Sequence, residues 1–471
     1  MDDLLEDTEI VPLTNRVNLG EYHNLCLVFH GKTLSSSRVF VARVHNGLAR
    51  LSKEFPWIAG QVQHDGHTDR GANKYKIIPF QVIPRFQIDS SQISNIPRYD
   101  FSQKQDEDWP MGWINENHVP IQEDSKSSPV MELKLTLEPT ASILTISMSS
   151  NVVDRTGLIM MVRILVDACR GSIRNNNLSS SDALTTKKHT ALFTDDKKSL
   201  LQDRVPIRFV PDPSPSTSQS SEAMAIDWAL FTFGLQAVRE IEGLVSLSGG
   251  DNPSQRVVDT DKAFSAFVFR SICSARNDRL TSGWTARCFR TVDARNALGA
   301  RTKTDEGQHL GALQHMTCNS YTNPSTVSMG RIARDLDKAS SPSVLSRDVE
   351  HFLFNTGTAV GNAASSSAAS SSAASSSAAF YSDVNFDPAQ DVAIVSWADV
   401  ECKSSDFQLS SIWKVRCIRI PYHRPASEGL VYFMPRSLKD EMTVALSLRE
   451  TDLKKLLSLP DWINRLKYDN H

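Results

Sequence analysis

The sequence predicts an α/β protein built as two domains. Three observations carry this expectation. The chain runs to 471 residues, more than one hydrophobic core normally organises. Segments of apolar period 2 and period 3.6 are mixed along both halves. A long polar stretch separates those halves.

The N-terminal half opens on a helix. Val39, Val41, Val44, Leu48 and Leu51 fall at helical spacing within residues 36–53. Phe55-Pro56-Trp57 stops that helix, and Gly60-Gln61-Val62 begins extended chain. Lys76 to Phe80 reads as a short strand, and Met131 to Leu135 alternates as a half-buried one. Ile143 to Met148 reads as a more fully buried strand. After a turn, the aliphatic stripe from Leu158 to Cys169 indicates a packed helix.

Residues 172–225 are polar and contain Pro211-Asp212-Pro213-Ser214-Pro215, which reads as a surface crossover. The expected domains are 1–195 and 226–471, joined by a linker over 196–225. The second half begins with a helix from Asp261 to Arg276 carrying Phe264, Phe267, Val268 and Ile272. Val392 to Trp397 reads as a strand, and Leu430–Met434 with Met442–Leu448 as a strand pair. A last helix starts near Glu450 and includes Leu453, Leu456 and Leu457. Residues 363–379 are only Ala and Ser in a regular period, the pattern of an engineered loop, with no side chain fit for a core or a site.

Composition excludes several functional classes. There are 51 Lys and Arg against 54 Asp and Glu, so no basic excess invites nucleic acid or an anionic membrane. Seven scattered cysteines, with no CxxC pair, read as reduced and buried thiols. The acidic start Met1-Asp2-Asp3-Leu4-Leu5-Glu6-Asp7 has no apolar run, and no stretch approaches the roughly 20 apolar residues of a membrane helix. A cytoplasmic monomer is expected. His64-Asp65-Gly66-His67 reads as a solvated hairpin turn, because no third ligand is placed for a metal.

Motifs then narrow the family. Arg50 to Val62, Asp167-Ala168-Cys169-Arg170, Leu313 to Thr317, Ser396-Trp397-Ala398 and Tyr432 to Arg436 occur in one order along the chain. In these stretches the sequence resembles the HxxxD acyltransferases, a BAHD-like family with the chloramphenicol acetyltransferase fold, especially fungal trichothecene 3-O-acetyltransferases. The resemblance implies two such domains, mixed sheets flanked by helices, and a tunnel at their interface. It also implies a histidine base that takes the proton from an acceptor hydroxyl or amine as it attacks an acyl-CoA thioester.

Two motifs depart from the family. Within Ser149 to Gly157, Asp154 stands where the family aspartate belongs, but Ser150 occupies the histidine position. A serine hydroxyl has no basic lone pair suited to that task, and losing a general base typically costs about 10²–10⁴ in rate. None of the twelve histidines has Asp four residues later. His315 and His23 are examples of histidines that could replace the base in space, though nothing in the sequence specifies either and each reads first as an ordinary surface or structural histidine. Asp154 is expected to form a structural ion pair with Arg295, the arginine that the resemblance implies in Val292-Asp293-Ala294-Arg295. Asp406-Phe407-Gln408-Leu409-Ser410 keeps the first two residues of Asp-Phe-Gly-x-Gly and loses both glycines.

Three functions follow from these departures. The first is a cofactor-free cyclase, of pericyclic or Diels–Alder type, on a hydrophobic terpenoid or polyketide natural product. Such chemistry needs a held conformer and a few hydrogen-bond donors, not a proton shuttle. Ser150 and Asn151 are its candidate catalytic groups; His315, Trp397, Asp406 and Phe407 are its candidate substrate contacts. The second is an acyl-CoA-dependent O- or N-acyltransferase with an unrecognised base, or with an acceptor already nucleophilic enough, and it is the only reading that requires a CoA thioester. The third is a non-catalytic pseudo-acyltransferase that binds a metabolite or partner.

Overall fold

The computed structural model describes residues 8–10, 22–30, 34–67, 73–89, 114, 116–120, 128–137, 141–171, 207–211, 226–247, 259–298, 309–356, 382–398, 404–410, 413–421, 427–437 and 439–467. Its strands in chain order are β1 (Thr8–Ile10), β2 (Tyr22–His30), β3 (Gln61–His67), β4 (Asn73–Ile78), β5 (Arg85–Asp89), β6 (Met131–Leu137), β7 (Ala141–Ser149), β8 (Ile207–Pro211) and β9 (Ile226–Phe233). There follow β10 (Thr285–Asp293), β11 (Gln314–Thr322), β12 (Ser382–Phe386), β13 (Val392–Ser396), β14 (Val415–Arg419), β15 (Leu430–Phe433) and β16 (Met442–Arg449).

Two mixed sheets dominate. One runs β14-β2-β7-β6-β5, and the other β11-β10-β13-β15-β16-β9. The smaller groups are β1-β4-β3 and the parallel pair β12-β8. The first sheet packs against the helices Leu34–Glu54 and Arg155–Arg170, whose Phe40, Val44, Leu48, Leu158, Val162 and Leu165 enter one core with Leu25, Leu27, Leu133 and Ile146. The second sheet packs against the helices Leu235–Leu247, Thr260–Arg276, Met329–Ala339 and Glu450–Ser458. Phe264, Phe267, Phe433 and Trp462 stand at the centre of that second core. Helices over sheets follow from the sequence, because each amphipathic stripe must be buried against an apolar sheet face.

The chain crosses between the two bodies. β14 comes from the C-terminal half, yet it pairs antiparallel with β2 in the first sheet. Val395, Trp397, Phe407, Leu409, Trp413 and Val415 join the first core. This exchange falls at 415–419, later in the chain than the strand Val392–Ser396, which stays in the second sheet.

Within the crossover, Ile207–Pro211 forms β8; the rest of 196–225 and all of 363–379 lie outside the described residues. No described helix is long and apolar enough to cross a membrane. Among the described residues no group of His, Cys, Asp or Glu is placed to hold a metal. Cys26, Cys169, Cys273 and Cys288 are buried and unpaired. Burial pushes the thiols of the first three up to about 12, which keeps them protonated and unreactive.

Candidate active site

The segment carrying Ser150 is a tight turn between β7 and the helix Arg155–Arg170. Val152 and Val153 both donate their amides to the Ser149 carbonyl, at 3.0 and 3.1 Å. Ser150 is buried, Asn151 half-buried. Asp154 is the helix N-cap, its Oδ1 accepting from the Gly157 amide at 2.9 Å.

The other half of the chain closes on this turn. Arg295 donates from Nη2 to Asp154 Oδ1 at 2.9 Å and from Nη1 to Asp154 Oδ2 at 3.0 Å. The same guanidinium donates to Asp293 Oδ1 (3.0 Å), the Gly311 carbonyl (2.7 Å) and the His309 carbonyl (3.0 Å). All five N–H groups of Arg295 are thereby used. Asp154 Oδ2 also accepts from the Leu313 amide at 2.8 Å. Burial alone would raise the Asp154 pKa, but the Arg295 charge and these hydrogen bonds outweigh it and hold the carboxyl below its ordinary value. Burial would likewise lower the Arg295 pKa, and the two aspartates push it up instead.

Backbone contacts reinforce the seam. Val153 bridges to Gly311, and the Ala312 amide donates to the Val152 carbonyl at 3.1 Å. Gly157 is required by the closeness of this approach, since a Cβ there would overlap the Leu310 carbonyl oxygen. Arg155 donates to Thr291 Oγ1 at 2.6 Å, and Thr156 to Asp293 Oδ2 at 3.3 Å, tying the helix start to β10. The 149–157 turn and the 309–313 segment therefore form one hydrogen-bonded unit shared by both halves.

The remaining candidates fall into two groups. His315 is the second residue of β11, two residues past Leu313 and paired with Val292. It is buried, its Nδ1 has no hydrogen-bond partner among the described residues, and burial lowers its pKa to about 4. Trp397 follows β13, buried in the first core with its ring edge-on to His23 at 6.5 Å. Asp406 and Phe407 lie elsewhere. Phe407 is fully buried in the first core, and Asp406 pairs with Arg163, midway along the helix Arg155–Arg170, at 3.3 Å. Arg170 donates to the Gln408 carbonyl at 2.8 Å and Arg43 to the Leu409 carbonyl at 3.0 Å, so the 406–410 turn is clasped onto the helices without glycine.

Sequence reading missed His309 to Ala312, the segment that touches the turn from the opposite half. Its only signal was Gly311, a glycine between apolar residues at the start of a strand. It also missed the ring pair Trp228–Tyr432, centroids 5.6 Å apart on the second sheet. Burial pushes the Tyr432 phenol up to about 12.

Comparison with known proteins places this geometry. Residues 22–169 match the model of the trichothecene 3-O-acetyltransferase-like N-terminal domain. A trichothecene 3-O-acetyltransferase of Fusarium sporotrichioides is 27% identical over 96% of this chain and 94% of its own length. An O-acetyltransferase of Cryptosporiopsis sp. is 25% identical over 93% of this chain and 92% of its own. The solved structure of TRI101 from F. sporotrichioides complexed with Coenzyme A and T-2 superposes with a TM-score of 0.73 at 25% identity, covering 98% of this chain and all of that one. Vinorine synthase shares the fold, with a TM-score of 0.62 at 10% identity over 100% of this chain and 96% of that one.

These relatives overturn the expectation of a pericyclic cyclase. They are acetyltransferases along nearly the whole chain, not in one domain alone. The physical error lay in reading the departures at Ser150 and at Gln408 to Ser410 as a rebuilt site. Asp154, Arg295 and Gly157 form a complete frame around the turn. Nothing in that frame gives positive support to ring formation.

Proposed function

We propose that this protein is an acyl-CoA-dependent O-acyltransferase acting on a hydroxyl of a hydrophobic small molecule, as its match to the trichothecene 3-O-acetyltransferase-like N-terminal domain and its similarity to O-acetyltransferases support. The observation that carries this reading is the likeness to an acetyltransferase over both halves of the chain, hence over the seam where they meet. Fold alone would not support it; the intact clamp on the 149–157 turn adds the site-level argument. A coenzyme A thioester is the acyl donor in this reading, as substrate.

The chain's own groups then have these roles. Asp154 and Arg295 hold the turn and neutralise each other, leaving neither to act on substrate. Ser150 and Asn151 present small hydrogen-bonding groups at the head of the turn and orient the acceptor oxygen or the thioester carbonyl. Positioning of this kind is a large part of acyl-transfer catalysis. His315 and Trp397 line the acceptor side. Asp406 and Phe407 fix the clasp that joins the 404–410 segment to the helices.

The test is direct. Purified protein is incubated with acetyl-CoA and a panel of hydroxylated terpenoids and polyketides, with free CoA thiol and acylated product measured together. At least one acceptor is expected to gain an acyl group at a rate proportional to protein, with one thiol released per ester. Intact acetyl-CoA across a broad panel, with no acylated product, rejects the proposal.

A further inference from the structure

Acyl transfer to a hydroxyl needs a group that removes its proton, and Ser150 cannot do so. We propose that His315, entering from the opposite half of the chain, is the general base of this enzyme; the inference rests on the acyltransferase reading above. Three observations carry it.

The first is placement. The segment 311–313 is bonded to 152–154 by the Val153–Gly311 bridge, the Ala312 amide on the Val152 carbonyl, and the Leu313 amide on Asp154. His315 stands two residues beyond the last of these contacts, at the start of β11. The unit that holds the family motif therefore also fixes His315, without any loop of adjustable length between them.

The second is the state of the ring. His315 retains 6% of its surface, and Nδ1 is sealed with no hydrogen-bond partner among the described residues. A buried imidazole left unsatisfied costs stability with no structural return, and such groups gather where function needs them. The ring is neutral at physiological pH, the form a base must have. With Nδ1 sealed, Nε2 is the working nitrogen.

The third is the engagement of its rivals. His23 lies opposite Met148 in the β2–β7 pair, with its ring edge-on to Trp397. His309 folds back on its own segment: a Cβ on Gly311 would come within 2.5 Å of its Nε2. Charged groups near His315 are also occupied. Met316 turns into the cluster of Phe289, Phe386 and Ala393, so His315 shares the other face of β11 with Thr317. Thr317 donates to the Arg290 carbonyl, and the Arg290 side chain pairs with Asp261. On the preceding segment Asp154, Asp293 and Arg295 close on one another. Each of these described groups already has a partner of its own.

The step balances as ordinary acyl transfer. His315 Nε2 takes the acceptor hydroxyl proton while that oxygen bonds to the thioester carbonyl carbon. The tetrahedral adduct collapses, the carbon–sulfur bond breaks, and the leaving thiolate takes the proton from the imidazolium. Ester and CoA thiol are the products, and His315 returns to its neutral form.

The test uses the full chain with an acceptor found in the assay above. His315→Gln keeps size and polarity without basicity; it is expected to lower kcat by about 10²–10⁴ with KM little changed. A loss smaller than tenfold overturns the proposal. Ser150→His in the His315→Gln background is expected to recover activity, with an acid limb of kcat/KM at about pH 6–7, as for an ordinary imidazole. Failure of this double variant to exceed His315→Gln counts against it. A readout free of variants guards against misfolding. The unaltered enzyme should keep its kcat/KM down to about pH 5 and lose it only below that, since burial lowers the His315 pKa to about 4. An acid limb at or above pH 6 overturns the assignment. If the unaltered enzyme forms no ester at all, the acyltransferase reading falls and this inference with it; if it does and His315→Gln matches it, only this inference falls.

Discussion

Asp154 and His315 sit two short segments apart and respond to burial in opposite ways. Asp154 stays charged because Arg295 offsets its desolvation with a bidentate pair, while His315 has no such partner and stays neutral. Each difference has a measurable consequence. Asp154→Ala leaves the Arg295 charge buried with only Asp293 beside it and strips the helix of its cap; a destabilisation of about 3–5 kcal/mol is expected in denaturant titration. A cost below about 1 kcal/mol would mean that the clamp carries little of the fold. For His315 the folded pKa, about 4, lies below the ordinary value of 6.5. The unfolded chain therefore binds the extra proton first. The stability tied to neutral His315 is complete above about pH 6.5 and is lost as pH falls from there toward 4, to a total of roughly 3 kcal/mol. His315→Gln should flatten the pH dependence of stability in that window, and an unchanged slope would show that the imidazole is not held neutral by burial.

At the level of elements, period and punctuation in the sequence were good guides. The helix expected over Asp261–Arg276 runs Thr260–Arg276, and Leu430–Met434 with Met442–Leu448 do form an antiparallel pair. These segments carry their own pattern: an aromatic stripe at helical spacing, or short alternating runs. What pattern could not give is partnership. β14 reads locally as Val415-Arg416-Cys417-Ile418-Arg419, and nothing in those five residues says that they pair with β2, nearly four hundred positions earlier. The site divides the same way. Residues 150 and 154 were legible because a motif spaces them four apart. His309, Gly311 and Leu313 were not, since their role arises from a backbone bridge to Val153 across the seam. The 406–410 turn shows a third case: the loss of both glycines was visible, but the arginine clasp from Arg43, Arg163 and Arg170 that takes their place joins residues far apart in sequence.

On the scale of the whole molecule, strand exchange makes the two halves interdependent. Without β14 the β2 edge would present its unpaired backbone to solvent, a site for aggregation. Trp413, just before β14, packs edge-on to Phe40 at 4.6 Å and to Phe29 at 6.4 Å, so the first core contains an aromatic from the far end of the chain. The Arg295 clamp ties the same two bodies at a second place. Two independent ties predict that the halves unfold together. Trp413→Ala should lower stability by about 3–5 kcal/mol, as expected for deleting a buried large aromatic. It should move one cooperative transition to lower denaturant without splitting it, with far-ultraviolet dichroism and tryptophan fluorescence remaining coincident. The fragment 1–225 should correspondingly be insoluble, or show no cooperative melt, because it lacks β14 and every aromatic that the C-terminal half lends to its core. Two resolved transitions in the variant, or a sharp melt of the isolated fragment, would show instead that each half folds on its own and that the exchanged strand merely decorates a finished sheet.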